Sequence, residues 1–310
     1  MQLDSVEKFY KYSDVAGARF ILRDGNLKFS LASTYNDPFD AKIDTLFAYD
    51  PIATLQELRE EKAKILFSDE TYPPFAKGQI PQLTAWMRQS LAGKTPEEKK
   101  YLKELILADS PESIWNIERL QTIDRETLAT VKFFFAMDAI FCASLIYDNH
   151  LLWSHYSEDH KGVALEFVAN VEKDSLLRLM TRVRYSAERP VYYKSPKDFI
   201  YKSMFRENQD VLEEYMQAIS LTKNPRWEHE QEVRAYIPLY ILGGKPYRLQ
   251  NYHGDELRAI YLGCKTTPEV EKELVMLAHA RNPAVKVFKM TMGTANYNLT
   301  PIEVDIRNFL

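Results

Sequence analysis

The chain has 310 residues, of which 45% are hydrophobic and 27% charged, and its formal net charge is −4. This composition is typical of a globular protein that can bury a core, and the slightly negative charge argues against a dedicated nucleic-acid binder, which normally has a strongly basic face. Glycine is scarce, with 10 residues, and neither GxGxxG nor a complete GxxxxGKS/T occurs, since Gly93-Lys94-Thr95 lacks the first glycine of that pattern; the commonest glycine-rich nucleotide-binding loops are therefore excluded.

The first predicted elements are a strand, a helix and a second strand. The segment FYKY, residues 9–12, alternates weakly and favours a strand. The segment SDVAGARFILRDG follows and predicts a helix, with Ser13 or Asp14 as its N-terminal cap and Gly25 at its C-terminal end. A short strand is predicted for LKFS, residues 27–30.

Residues 50–135 change in character and predict a helical insertion. Apolar residues recur there at spacings of three and four, as on an amphipathic helix. Thr95 followed by Pro96 and Glu98 has the form of a capped helix start. The predicted helices are IATLQELREEKAKILF, IPQLTAWMRQSLAG, TPEEKKYLKELILAD and SPESIWNIERL.

Strand-like segments return after the insertion, together with two further helices. One long helix is predicted over residues 195–221 and another over residues 267–281, each with Pro in its first turn. The predicted strands are AIFCASL, GVALEFV, RVRYS, VRAYIPL, LRAIYLG and VKVFKM. This order predicts one α+β domain over residues 1–310, with a central mixed or antiparallel sheet, flanking helices and the helical insertion at 50–135.

The sequence predicts a cytoplasmic protein without a membrane anchor. The first residues, MQLDSVEKFY, lack the apolar segment of a signal peptide, and no run approaches the roughly 20 apolar residues of a membrane-spanning helix. Cys142 and Cys264 lie in apolar runs, so we interpret them as small buried residues of a reducing compartment.

The stretch TYNDPFDAKID, residues 34–44, places acidic and aromatic residues in one turn. Pro38 stiffens such a loop, and Asn36 and Asp37 can accept bonds from backbone amides. Ordinary turns rarely hold a Phe between carboxylates, so the stretch is either part of a site or a purely structural turn.

A second dense stretch, WSHYSEDHKG, predicts a short helix after Asn149 that presents Trp153, His155 and Tyr156. Histidines occur every fifth residue here, but on a helix neighbours at this spacing point about 140° apart. No cysteine or acidic residue completes a standard ligand pattern, so we predict no metal site. In the alternative interpretation Trp and Tyr belong to the core and His to the surface.

The third stretch, PRWEHEQEVRAY, has alternating acidic residues. On an extended segment Glu228, Glu230 and Glu232 would share one face, with Arg234 next on that face. Like charges so placed raise one another's pKa unless cations or a substrate intervene. The segment is therefore either a solvated edge strand or the acidic part of a cleft.

These motifs together resemble a bacterial family known as domain of unknown function 2971. The family's pattern has an early Y-K-Y strand, an N-D-P-F-D loop, a W-x-H-Y…H-x-G segment and a late W-x-x-E-x-E-x-R. The matching segments here are 10–12, 35–40, 153–162 and 227–234. The position before Asn36 is usually Phe in the family, and Tyr35 at this position still provides an aromatic ring. The resemblance implies that the N-D-P-F-D loop belongs to a site, with Phe39 anchoring the loop and Asp40 facing the site, and it implies no activity.

The order of the motifs is similar to that of ADP-ribosyltransferases, in which an early basic residue holds NAD and a late glutamate stabilises positive charge on the ribose. By that analogy Glu232 is the predicted catalytic residue, and Glu230 orients the acceptor. NAD would be a substrate, no cofactor would be covalently bound, and the acceptor would be a protein or a nucleic acid. The predicted binding residues are Lys11, Tyr12, Asn36, Asp37, Asp40, Trp153, His155, Tyr156 and Arg234.

Two other functions stay open at this stage. A non-catalytic module that recognises a nucleotide or a partner protein would also be rich in Tyr, Trp and Arg. A magnesium-dependent nuclease or hydrolase could use Asp37, Asp40 and the glutamates as ligands. In every case we expect the three motif-bearing regions, residues 9–40, 139–167 and 227–237, to converge on one cleft.

Overall fold

The computed structural model describes residues 6–35, 37–67, 88–108, 116–205, 208–237 and 247–309. Contacts divide the chain into two compact units. The first consists of residues 1–42, 136–189 and 220–310, and the second of 43–135 and 190–219. The proposed insertion at 50–135 falls in the second unit, and a single domain over 1–310 stays a prediction.

A mixed central sheet with flanking helices confirms the α+β class. The sheet lies in the first unit, in the order β12-β11-β10-β4-β1-β3-β2-β9, and β8 pairs with β3 and with β5. All its pairs are antiparallel except β10 with β11; β6 and β7 form a separate parallel pair. The strands are β1 Lys8–Ser13, β2 Asn26–Leu31, β3 Ala139–Ser144, β4 Val163–Val168, β5 Thr181–Arg182, β6 Arg184–Tyr185, β7 Thr222–Lys223, β8 Glu232–Ile237, β9 Tyr247–Asn251, β10 Leu257–Leu262, β11 Lys286–Met292 and β12 Leu299–Glu303.

The helices follow the predicted order, with α8 connecting the parallel strands β10 and β11. They are α1 Val15–Asp24, α2 Leu55–Phe67, α3 Pro96–Leu107, α4 Ile117–Phe135, α5 His150–Tyr156, α6 Pro196–Phe205, α7 Asn208–Ser220 and α8 Pro268–Arg281. Among the helices within the described ranges, none combines the length and the apolar character needed to cross a bilayer.

Several sequence predictions are confirmed by the ends of these elements. Asp14 caps α1 by accepting a bond from the backbone N–H of Gly17, and Gly25 ends α1 with a left-handed φ of 66°. Thr95 and Glu98 form the predicted capping box of α3. The side chain of Asn149 caps α5, so the short helix predicted after that residue is confirmed.

Other sequence predictions differ from the structure. The single strand expected for RVRYS is two short strands, β5 and β6, and neither β9 nor β12 was anticipated. The long helix predicted over 195–221 is described as α6 and α7, with residues 206 and 207 outside the described part. The predicted helix IPQLTAWMRQSLAG lies mostly outside the described residues, as does the start of SPESIWNIERL.

The strands of the first unit carry a separate apolar cluster on each face, because successive side chains of a strand point to opposite sides. Phe9 of β1 belongs to the larger cluster, in which its ring stacks on Phe167 and meets the edge of Phe141. Tyr10 and Tyr12 of the same strand belong to a smaller cluster on the other face. This alternation places the two tyrosines of the Y-K-Y motif on the same side of the sheet.

The second unit contains α2, α3, α4, α6 and nearly all of α7. Phe47 and Tyr193 form an isolated bridge between extended segments, and their rings lie 4.8 Å apart. Phe199 of α6 contacts both rings. All three residues are buried, so this aromatic group forms part of the unit's core.

A tight loop joins α5 to β4 and leaves no room for a side chain at Gly162. Glu158, Asp159 and His160 all have left-handed φ angles, of 51°, 53° and 70°. Gly162 then lies against the end of β1, where an added Cβ would stand 2.2 Å from the carbonyl oxygen of Ser13. The loop can follow this path only with glycine at position 162.

We therefore expect Gly162→Ala to lower the free energy of unfolding by about 1–3 kcal/mol, the usual cost of forcing atoms into a packed region. Thermal and urea unfolding would measure the change. Gly93→Ala is the matched control, because a Cβ there would meet nothing within 4 Å. Equal stability of the Gly162 variant and the wild type would contradict the close approach.

Candidate functional site

A cavity of about 330 Å³ lies in the first unit, beside the junction of β1 and β3. These strands pair at one position, between Tyr10 and Ser144. Beyond it, side chains bridge the gap: Lys11 donates to the carbonyl oxygen of Cys142 and Tyr12 to that of Ile146. The lining includes Tyr10, Lys11, Tyr12, Lys28, Ser30, Thr34, Tyr35, Asp40, Cys142, Ser144, Tyr156, Lys223, Glu230 and Glu232.

The acidic wall of the cavity is built by a turn and the start of β8. Pro225–Glu230 is a 3₁₀ helix capped by Asn224, and Gln231 follows with a left-handed φ of 42°. The prediction that Glu228, Glu230 and Glu232 share a strand face is wrong, because this turn replaces the extended segment. Glu228 is exposed, whereas Glu230 and Glu232 are buried and both line the cavity.

Lys223, at the end of β7, holds the two buried glutamates together. Its ammonium donates to Glu230 Oε2 at 2.5 Å and to Glu232 Oε2 at 2.9 Å. The same ammonium lies 4.9 Å from the centre of the Trp227 ring. A single cation thus offsets the repulsion between two neighbouring buried carboxylates.

Arg234 connects Glu232 to the N-D-P-F-D turn. Its guanidinium is fully buried and forms two bonds to Asp40, of 2.9 and 2.6 Å, and two to Glu232, of 2.8 and 3.0 Å. A fifth bond reaches the carbonyl oxygen of Ser220. Arg234 therefore holds Glu232 by charge-assisted bonds, and the predicted convergence of the three motif-bearing regions is confirmed.

These neighbours keep Glu232 ionised. Burial opposes its ionisation, but the positive charges of Arg234 and Lys223 prevail and lower its pKa from the ordinary 4.5 to about 2. Burial likewise disfavours the charge of Lys223, yet Glu232 and Glu230 raise its pKa above the ordinary value. With Asp40 included, three carboxylates face two cations, so this group of five side chains carries one net negative charge.

The lowered pKa of Glu232 predicts a dependence of stability on pH. Below the ordinary pKa of 4.5 the unfolded chain binds a proton at this residue, whereas the folded chain does so only near pH 2. The contribution of Glu232 is therefore complete above pH 4.5 and is lost as the pH falls towards 2. We expect the difference in unfolding free energy between wild type and Glu232→Gln to shrink over this range. Urea unfolding at several pH values tests this, and a constant difference would contradict it.

A second part of the lining is formed by Tyr35, Cys142 and Lys11. The hydroxyl of Tyr35 and the sulfur of Cys142 are 3.0 Å apart. Burial and the nearby charge of Glu232 raise the pKa of the Cys142 thiol to about 12, so the thiol stays protonated and is a poor nucleophile. Burial lowers the pKa of Lys11, partly offset by Cys142 and Glu232.

Of the three predicted binding residues in the W-x-H-Y segment, only Tyr156 lines the cavity. The hydroxyl of Tyr156 donates to Glu230 Oε1 at 3.0 Å, and the residue is 44% exposed. Trp153 is fully buried, its Nε1 donates to the carbonyl oxygen of Tyr147, and it meets the Tyr12 ring edge-on. The indole is thus a core residue here, and exposed His155 is not part of the lining.

Residues 152–235 match a protein family whose description is "Protein of unknown function (DUF2971)". The chain resembles this family. The matched region contains Tyr156, Lys223, Glu230, Glu232 and Arg234, and it ends one residue after Arg234. No curated protein and no solved structure matches the chain.

The parts of the site on β1, β2, β3 and the N-D-P-F-D turn lie outside the DUF2971 match. Asn36 is outside the described residues. Asp37 accepts a bond from the backbone N–H of Phe39 and so shapes the turn. Phe39 is 64% exposed, so the expectation that it anchors the loop is wrong; Asp40, which is buried and bonded to Arg234, is the residue that holds it.

Sequence reasoning missed Lys223 and Lys28. Lys223 follows the apolar segment AISLT, and a lysine that ends such a segment is buried only if it has an anionic partner. The position of Lys223 after this segment therefore indicated an anionic partner, but the sequence did not reveal which acidic residue it would be. Lys28 lies two residues before Ser30 on the predicted strand LKFS, so the two share a face, yet nothing local shows that this face borders a cavity.

Histidine and acidic side chains do not form a metal site within the described ranges. No group of three or more His, Cys, Asp or Glu there is placed to hold a metal ion. His150 contacts the carbonyl oxygen of Tyr297 through Nε2, and the His160 ring lies parallel to Trp153. The acidic residues of the cavity bond to lysine and arginine instead.

Proposed function

We propose that the cavity binds NAD and that the protein breaks the bond between nicotinamide and ribose, transferring ADP-ribose to an acceptor. One observation carries the proposal: two buried carboxylates, Glu230 and Glu232, are held in fixed positions at the wall of a cavity that also has aromatic and basic side chains. The reaction needs such a wall, because positive charge develops on the ribose as nicotinamide leaves.

Glu232 is suited to oppose that charge. Its low pKa keeps it ionised at neutral pH, and its bonds to Arg234 and Lys223 fix its orientation before any ligand arrives. A charge that is already oriented costs no reorganisation during the reaction, which is the main advantage of an enzyme site over water. The net negative charge of the five-residue group has the sign that a cationic transition state requires.

Glu230 is suited to orient a hydroxyl group. A carboxylate offers about four acceptor positions, and Glu230 uses one on Tyr156 and one on Lys223. The remaining positions can accept bonds from a ribose or acceptor hydroxyl. The ring of Tyr156, which lines the cavity and is partly exposed, offers an aromatic surface to the nicotinamide.

The dimensions of the cavity fit one half of a dinucleotide. Its volume of about 330 Å³ is near the lower end of small-molecule sites, which span about 300–1,000 Å³. Nicotinamide and its ribose would occupy it, with the adenosine half outside. The proposal also implies a cytoplasmic location, where NAD is available and the free Cys142 and Cys264 would stay reduced.

The direct test is to incubate the pure protein with NAD and to measure nicotinamide release, with and without cell lysate and Mg²⁺. Label from the adenine of NAD that appears on a protein or a nucleic acid identifies the acceptor. Free ADP-ribose alone would mean that water is the acceptor. The absence of nicotinamide release under all these conditions would refute the proposal.

A non-catalytic nucleotide-binding module is the second candidate. The observation that favours it is that Asp40 and both glutamates already have cationic partners, as in a network that only supports a binding pocket. Binding of NAD without release of nicotinamide would support this candidate. The Mg²⁺ arm tests the hydrolase alternative, which no contact in the described residues favours.

A further inference from the structure

Two lysines line the same cavity as the glutamates. Lys11 lies on β1 and Lys28 on β2, and both strands pair with β3. The ammonium of Lys11 donates to the carbonyl oxygen of Cys142 at 2.9 Å. The ammonium of Lys28 lies 4.9 Å from the centre of the Tyr247 ring. Neither forms an ion pair with a carboxylate among the residues that the structure describes.

The two ammonium groups are near enough to influence each other. Burial has the largest effect on Lys11 and lowers its pKa, and the charge of Lys28 lowers it further. Glu232 acts in the opposite direction, but its oxygens already bond to Arg234 and Lys223. Two like charges that share a cavity are stabilised by any anion that enters between them.

We infer that Lys11 and Lys28 form an anion subsite that binds the phosphate group of a nucleotide. Ser30 also lines the cavity and can donate a further hydrogen bond to a phosphate oxygen. Ammonium groups bind phosphate through short charge-assisted bonds, which are among the strongest that proteins form.

The subsite gives the cavity both a basic and an acidic part. A ligand that fills both would carry a phosphate at Lys11 and Lys28 and a neutral or cationic group at Glu230 and Glu232. Nicotinamide mononucleotide has both features, since its ring is positively charged. This choice of nucleoside rests on the proposed function, whereas the lysine pair does not depend on it.

Calorimetric titration with nicotinamide mononucleotide and with nicotinamide riboside, which lacks the phosphate, tests the inference. We expect the wild type to bind the mononucleotide about tenfold more tightly than the riboside, because one hydrogen bond to a charged group contributes about that much affinity. Lys28→Met should remove most of this preference and leave affinity for the riboside unchanged. Inorganic phosphate should compete with the mononucleotide in the wild type and much less in the variant.

Lys286→Met is the matched control, because Lys286 is an exposed lysine on β11 of the same sheet and does not line this cavity. It should bind both ligands like wild type. Equal affinity of wild type for the two ligands, no binding of the mononucleotide, or an unchanged preference in Lys28→Met would each overturn the inference. A preference for phosphate without release of nicotinamide from NAD would leave the subsite standing and refute the enzymatic proposal. Release of nicotinamide without a preference for the phosphate would support the enzymatic proposal and refute the subsite.

Discussion

Replacement of Glu232 by glutamine is expected to slow the release of nicotinamide from NAD by about 10²–10³-fold, the effect of losing one preoriented electrostatic group. Gln keeps the shape of the side chain and removes its charge. Binding of NAD should change much less, because the charge that Glu232 opposes exists mainly in the transition state. Single-turnover rates and equilibrium titration would separate the two effects.

Glu228→Gln is the control for this substitution, since Glu228 belongs to the turn that precedes β8 but is exposed and does not line the cavity. It should leave the rate of nicotinamide release unchanged. Equal losses of binding and turnover in Glu232→Gln would mark Glu232 as a structural or ground-state binding residue. Undiminished turnover would show that Glu232 has no part in the reaction.

Replacement of Arg234 by methionine should have the largest effect on stability. The guanidinium is fully buried, and its removal leaves the carboxylates of Asp40 and Glu232 without their main partner. Breaking a buried ion pair by removing one member costs about 3–5 kcal/mol, because the remaining charge stays in a poorly solvated place. Urea unfolding followed by tryptophan fluorescence would measure the loss.

Two further variants test whether the unpaired carboxylates cause the loss of stability in Arg234→Met. Arg226→Met removes an exposed arginine from the neighbouring turn and should leave stability almost unchanged. Adding Asp40→Asn to Arg234→Met removes one of the unpaired carboxylates and should recover part of the loss. A loss in Arg234→Met that is no larger than in Arg226→Met would mean that the network contributes little to folding.

The ion-pair network joins parts of the chain that are distant in sequence. Asp40 stands 194 residues before Arg234, and the two are linked by a bidentate bond. The same guanidinium holds Glu232, two residues away on β8. A displacement of Asp40 in the N-D-P-F-D turn would therefore also shift Glu232 at the acidic wall of the cavity, because Arg234 is bonded to both.

Local patterns were sufficient for most of the secondary structure. Helix α1 is marked by Asp14 and Gly25, and the start of α3 by Thr95 and Glu98, because capping depends on residues close in sequence. The turn before β8 was mistaken for a strand. Its alternating glutamates have the period of a strand, but the cap at Asn224 and the left-handed Gln231 bend the backbone instead.

The sequence by itself determined the α+β class, most of the strands, and the motifs that meet at the cavity. Only the tertiary structure decided which of their side chains act together: that Trp153 packs in the core, that Asp40 binds Arg234, and that Lys223 and Lys28 border the cavity. The physical reason is the range of the forces involved. Periodicity and capping operate within a few residues, whereas Asp40 meets Arg234 only because the fold brings together segments 194 residues apart.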